Sequence, residues 1–168
     1  MEGRTYRYFW GEPLFPFGYG LSYTTFKFDN LHIDPPEVKV GGKVAVSADV
    51  TNTGDRTGDE VIQLYVRHRD ATIPRPVKEL KGFKRITLQP GERKTVTFTL
   101  HTHQLGLCDE AMQVVVQPGL TEVMVGNASD HLPLTGTFEI VGQSADITDR
   151  VFFGEVNVER EDLPNVRT

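Results

Sequence analysis

From Phe26 onward the chain alternates apolar and polar residues with a period of two, and no stretch of useful length shows a helical period. In "KVAVSADV", Val44, Val46, Ala48 and Val50 share one face, while Lys43, Ala45, Ser47 and Asp49 share the other. Side chains alternate across a strand, so this is the pattern of a half-buried β-strand. "TVTFTL" repeats it, with Val96, Phe98 and Leu100 inward and threonines outward. "EVIQLYV" is more apolar, as a central strand is. Turn signals separate these runs: "TNTGDRTG" at 51–58, "QPGE" at 89–92 and "QPG" at 117–119. Further strands are predicted at 26–33, 80–88, 105–108, 113–116, 121–126 and 135–141. Short strands at regular spacing predict an all-β sandwich, although a closed barrel shares the pattern.

The segment ahead of this pattern is different. Ten of the sixteen aromatic residues lie between Tyr6 and Phe28, around "EPLFPFGYGLSYTTF". Pro13 and Pro16 each interrupt a helix, and Gly18 and Gly20 weaken strand pairing. An irregular segment whose rings pack against something is expected. The expected organisation is therefore an aromatic leader at 1–25, an immunoglobulin-like sandwich at 26–142, and an extension at 143–168. In that extension "DRVFFGEVNVE" suits one added strand before a polar tail.

Composition narrows the function classes. A chain of 168 residues buries most of the surface it exposes when unfolded, and needs neither metal nor disulfide to do so. Cys108 is the single cysteine, so no internal disulfide forms. No run of eighteen apolar residues exists to span a membrane. The charged start "MEGRTYRYFW" lacks the apolar core of a signal peptide, which leaves the compartment open. Arg67 to Lys94 holds nine basic residues against three acids, but only Phe83 is interleaved with them. With a net charge of −5, a nucleic-acid partner is not expected.

Candidate chemistry is sparse. Asp59–Glu60 and Asp109–Glu110 lie beside predicted turns, where acids serve local hydrogen bonds. His101 and His103 share a strand face but lack a third and fourth metal ligand. Neither metal nor cofactor is expected. Cys108 in "LGLCDE" reads as a buried, inert thiol. "NAS" at 127–129 is a glycosylation sequon in form and a turn in context. The loop "RDATIPRPVKE", 69–79, is long and proline-bearing, and is expected to be a structural crossover with solvated charges.

The motifs "PLFPFGYGLSYTTF", "VTNTGDRTGDEVIQLYV", "RPVKELKGFKRITLQPGERKTVTFTL" and "VVVQPGLTEVMVG" occur in one order. Together they closely resemble the C-terminal fibronectin type III-like domain of glycoside hydrolase family 3, whose members include β-glucosidases and β-xylosidases. The resemblance runs from about Arg4 to about Val141. It implies a barrel with an aspartate nucleophile and an α/β sandwich with the acid/base, both preceding the region matched, with "GRTYRYF" as the connector. A retaining glycosidase needs two carboxylates about 5 Å apart. None of the family's catalytic motifs occurs here, so no catalytic residue carries over.

The resemblance also implies that Tyr6, Trp10, Phe15, Phe17, Tyr19 and Tyr23 are interdomain docking residues, and that Arg75 and Lys78 sit on a loop near the catalytic cleft. The expected function is a non-catalytic accessory domain. It would pack against the catalytic domains of a parent hydrolase acting on terminal β-D-glucosides or β-D-xylosides, in cis or in trans. The alternatives are a carbohydrate-binding module in contact with polysaccharide, an enzyme in its own right, and a stand-alone protein-interaction domain. Stacking on sugar needs exposed rings, and alternation sends most of Tyr65, Phe83, Phe98 and Phe138 to the core.

Overall fold

The computed structural model describes residues 11, 13–70, 75–147, 151–152 and 154–160. Twelve strands form among them: β1 Phe26–Asp34, β2 Glu37–Lys39, β3 Lys43–Asn52, β4 Gly58–His68, β5 Glu79–Leu88, β6 Arg93–His101, β7 Leu107–Cys108, β8 Val114–Val116, β9 Gly119–Gly126, β10 Leu134–Val141, β11 Ala145–Asp146 and β12 Val156–Arg160. A four-stranded sheet runs β1-β3-β6-β12 and a five-stranded sheet runs β2-β10-β9-β4-β5, with β11-β8-β7 as a small third sheet. Pairing is antiparallel except between β2 and β10. The fold is an all-β sandwich. No helix among the described residues is long and apolar enough to cross a membrane.

The core is where the alternation puts it. Val44, Val46, Val50, Val96, Phe98 and Leu100 from one sheet meet Ile62, Leu64, Val66, Val123, Val125, Phe138 and Ile140 from the other, all buried. A buried aliphatic or aromatic side chain stabilises by about 1.5–3 kcal/mol relative to exposure, and this layer supplies most of the driving force. β4 lies between β9 and β5, and its apolar run has a second cause. Gln63 and Tyr65 point away from the core yet are only 3% and 4% exposed, so the outer face of this strand is covered too.

β12 pairs along the free edge of β6, from Val156 opposite Phe98 to Arg160 opposite Lys94. The Arg160 guanidinium reaches the Glu92 carboxylate at 3.1 Å, tying this strand to the β5–β6 turn. The Glu92 carboxylate accepts the Gln89 N–H at 2.7 Å. That bond, then Lys94 and Arg160, hold its carboxyl below the ordinary glutamate range against the opposing effect of burial.

Two local expectations need correction. The strand predicted at 105–108 begins only at Leu107, and a 3-10 helix, Thr102–Leu105, precedes it. Its start is capped reciprocally: the His103 N–H donates to His101 Nδ1 at 3.1 Å and the His101 N–H to Gln104 Oε1 at 2.9 Å. This local exchange outcompetes extension of β6. Cys108 is exposed rather than buried. With β7 only two residues long and paired to β8 alone, alternation turns Leu107 half inward and Cys108 out to solvent.

Candidate docking site

The aromatic segment lies across the outer face of β4 and is pinned at both ends. The Tyr19 N–H donates to the Pro16 carbonyl at 3.0 Å, closing a turn with Gly18 at φ +86°. A Cβ on Gly18 would stand 2.2 Å from Gln63 Nε2. The positive backbone angle favours glycine, and a Cβ would also displace the Gln63 amide. The Ser129 N–H donates to the Phe17 carbonyl at 2.8 Å. At the far end Thr24 Oγ1 donates to Asn52 Oδ1 at 2.6 Å, and the Thr53 N–H to the Thr25 carbonyl at 2.8 Å. Between these anchors residues 19–23 bow outward as an arch.

The arch carries its rings outward. Phe15, Phe17, Tyr19 and Tyr23 are 65%, 69%, 52% and 93% exposed, and Leu21 is 90% exposed. The Phe15 and Tyr19 rings touch, with centroids 5.1 Å apart. Phe83, the cross-strand neighbour of Gln63, is also exposed beside the arch. Alternation alone had placed such rings mostly in the core. Phe98 and Phe138 are there, Tyr65 is buried on the outer face of β4, and Phe83 stands exposed. Exposed rings held on an anchored backbone are what make this segment the candidate docking site. Tyr6 and Trp10 lie outside the described residues.

Beneath the arch runs a groove of about 870 Å³. Asp59, Glu60, Asn127 and His131 line it, and a polar network joins them to neighbouring residues of β4 and β5. Gln63 Nε2 donates to the Asn127 carbonyl at 2.6 Å, and its Oε1 accepts the Tyr65 hydroxyl at 2.7 Å. Burial pushes the Tyr65 hydroxyl up to about 12. Asn127 Nδ2 donates to Glu60 Oε2 at 2.9 Å, and its Oδ1 meets His131 Nδ1 at 2.7 Å. Both ends of the sequon amide are thus engaged in holding a turn. Asp59 accepts Thr87 Oγ1 at 2.5 Å and is paired with Arg85. The Thr87 bond and then the Arg85 guanidinium hold the Asp59 carboxyl below its usual range. Asp59 and Glu60 are neighbours near the start of β4, so Asp59 leaves its outer face, opposite Thr87, and Glu60 leaves the other, opposite Ile86.

The remaining candidates resolve into structural roles. Arg75 and Lys78 do not carry solvated charges. The Arg75 side chain is 7% exposed, lies 3.8 Å from Glu79, and donates to the Leu105 carbonyl at 2.7 Å. The Lys78 ammonium donates to the Ser129 carbonyl and sits 5.9 Å from the centre of the Tyr65 ring. Burial lowers both basicities. These two cations tie the β4–β5 loop down, and Lys78 bonds the same turn that holds Phe17. Asp109 accepts the Gln113 N–H at 2.9 Å within the β7–β8 hairpin. The His101 and His103 rings meet edge to face at 4.5 Å. Among the described residues no cluster of three or more metal-ligating side chains forms.

Sequence patterning had not singled out Asn52, Gln63 or Asn127 as the residues that fix the arch. The one available signal was Gln63, a polar residue at the centre of the apolar run "EVIQLYV".

Comparison with known proteins gives one consistent picture. The family Fn3-like, described as a fibronectin type III-like domain, matches residues 60–129. A β-xylosidase of Formosa agariphila is 50% identical over 124 residues, covering 74% of this chain and 17% of that protein. A periplasmic β-glucosidase of Salmonella typhimurium is 46% identical over 129 residues, covering 77% of this chain and 17% of its own length. The crystal structure of a β-glucosidase from Listeria innocua in complex with glucose superposes with a TM-score of 0.74 at 39% identity, covering 79% of this chain and 18% of that one. The chain therefore spans under a fifth of the length of these relatives. The matched region is in each case one part of a larger protein.

Proposed function

The chain belongs to the fibronectin type III-like domains of family 3 glycoside hydrolases, and from that premise we propose that it is a non-catalytic module docking through its aromatic arch onto the catalytic part of such an enzyme. The observation that carries this reading is the arch itself: a row of exposed rings on a backbone held by fixed hydrogen bonds. Rings ordered before binding lose little conformational freedom on docking, and each contributes apolar area when covered. In this reading residues 1–25 are the interdomain connector, 26–142 the body of the sandwich and 143–168 an extension that contributes β12. Tyr6 and Trp10 belong to the same docking set as Phe15, Phe17, Tyr19 and Tyr23. Arg75 and Lys78 brace the loop that faces the neighbouring domain.

The activity of the whole protein in this reading is hydrolysis of terminal β-D-glucosides or β-D-xylosides, by analogy with the names of its relatives. In this reading the nucleophile and the acid/base belong to the catalytic part, not to this module. Contact of Tyr19 and Tyr23 with polysaccharide is the second reading, supported by their exposure.

The test is association with the catalytic part of the Listeria innocua β-glucosidase, expressed without its own matching region. The unsubstituted chain is expected to bind. A variant combining Phe15→Ser, Phe17→Ser, Tyr19→Ser and Tyr23→Ser is expected to bind at least about 100-fold more weakly, since buried aromatics dominate such interfaces. Its thermal midpoint should be unchanged, because these rings contribute little to the sandwich core. Equal binding by the two chains overturns the docking reading. Retardation of the free chain in xylan or β-glucan gels would favour the second.

A further inference from the structure

The groove under the arch carries an unbalanced charge. Its lining holds three carboxylates, Asp59, Glu60 and Asp130, against one fixed cation, Arg85. Arg85 is committed to Asp59, which it grips through both Nε, at 3.1 Å, and Nη2. Glu60 is different. Its Oε1 accepts the Val61 N–H at 2.8 Å and its Oε2 accepts Asn127 Nδ2 at 2.9 Å, and both donors are neutral. No cation among the described residues forms an ion pair with it.

These two bonds fix the carboxylate plane and use one acceptor site on each oxygen. A carboxylate offers about four such sites, so both oxygens keep capacity for a further donor. A guanidinium is the group whose paired N–H bonds match two carboxylate oxygens at once. The arch supplies what the rest of an arginine needs. Tyr19 and Tyr23 are among the residues that line the groove, and aromatic rings beside a guanidinium can take the cation or its aliphatic stem.

We propose that this groove receives an arginine side chain from the catalytic part of the enzyme, with its guanidinium paired to Glu60 beneath the arch. The proposal rests on the docking reading above and adds its polar register. The arch supplies apolar area, and the Glu60 carboxylate selects where a partner segment seats. Asp130, exposed at the rim, steers the cation inward without fixing it.

The test uses the same association with the Listeria innocua catalytic part. Glu60→Gln removes the charge and keeps one carbonyl oxygen to accept the Asn127 Nδ2 bond, giving up the Val61 N–H bond to Oε1. It is expected to weaken association about tenfold and to flatten its dependence on salt. Asp130→Asn, away from the polar network, is expected to slow association at low salt and to leave dissociation unchanged. If Glu60→Gln binds as tightly as the parent with the same salt dependence, while the fourfold arch variant still fails to bind, the arginine assignment is overturned and the docking reading stands. If the unsubstituted chain does not associate at all, the docking reading falls and this one with it. Should Glu60→Gln lower the thermal midpoint, the rate effect of Asp130→Asn decides, and an unchanged rate counts against the proposal. Displacement of the catalytic part by cellobiose or xylobiose would assign the groove to sugar and overturn it likewise.

Discussion

Replacement of Asn52 by alanine is expected to destabilise the domain by about 3 kcal/mol, the sum of several lost buried hydrogen bonds. Asn52 is fully buried at the end of β3. Its Nδ2 donates to the Arg56 carbonyl at 2.7 Å and to the Leu88 carbonyl at 3.0 Å. Its Oδ1 accepts Thr24 Oγ1 at 2.6 Å and the Gly54 N–H at 3.0 Å. One amide therefore joins the end of the arch, the β3–β4 turn and the end of β5. Alanine leaves all four partners to find water, and the Leu88 carbonyl is too deep to do so. Asn52→Asp should be no milder, since a carboxylate would face two carbonyl oxygens. Urea unfolding reads the effect directly. A loss below about 1 kcal/mol would show that these groups rehydrate, and that the amide is not what anchors the arch.

Gly126→Ala is expected to cost at least about 3 kcal/mol, at the upper end of overpacking penalties. A Cβ there would lie 2.0 Å from the His131 carbonyl oxygen and 2.8 Å from Leu132 Cα. Both are backbone atoms, so no side-chain rotation relieves the clash. The turn that follows would have to move, and that turn is heavily used. It accepts Gln63 at the Asn127 carbonyl, holds Phe17 through the Ser129 N–H, and bonds Lys78 through the Ser129 carbonyl. The variant should therefore lose both stability and the fixed position of the arch. Thermal melting gives the first. Increased quenching of tyrosine fluorescence, or faster amide exchange at Tyr19, gives the second. A variant with wild-type melting would mean that the turn has an alternative conformation of equal energy.

The body of the sandwich was legible because its signal is local. Val44, Val46 and Val50 declare their face within eight residues, and the turn at 89–92 declares itself in four. The errors share a different cause. Cys108 looked buried because it sits where an apolar strand residue would fit, and nothing local says that β7 begins only at Leu107 and pairs with β8 alone. Arg75 and Lys78 looked solvated because charge in a loop usually is. Their partners, the Leu105 and Ser129 carbonyls, lie 30 and 51 positions away. Which of Tyr65, Phe83, Phe98 and Phe138 would stay outside the core was left open, because the exposure of Phe83 depends on which side of β5 the core lies.

The candidate site was half visible for the same reason. Aromatic crowding between Tyr6 and Phe28 marked the segment, and the proline and glycine pattern marked its irregularity. What fixes it was hidden, because every anchor is long-range: Thr24 reaches Asn52 across 28 positions, and Gln63 reaches Asn127 across 64. Pattern reading finds which residues are unusual. Only the tertiary fold tells what holds them, and here the holding residues are polar ones on separate elements: Asn52 at the end of β3, Gln63 on β4 and the turn at 127–129 after β9.

The central claim is that the arch is covered when the chain is joined to a catalytic part. Hydroxyl-radical footprinting measures this at single side chains. Tyr23 is 93% exposed and Tyr19 52% exposed in the chain by itself, so both should be modified readily. When the chain replaces the matching region of the Listeria innocua β-glucosidase, modification of both rings is expected to fall to the level of buried Tyr65. Equal modification of Tyr19 and Tyr23 in the free and joined chains would contradict the account.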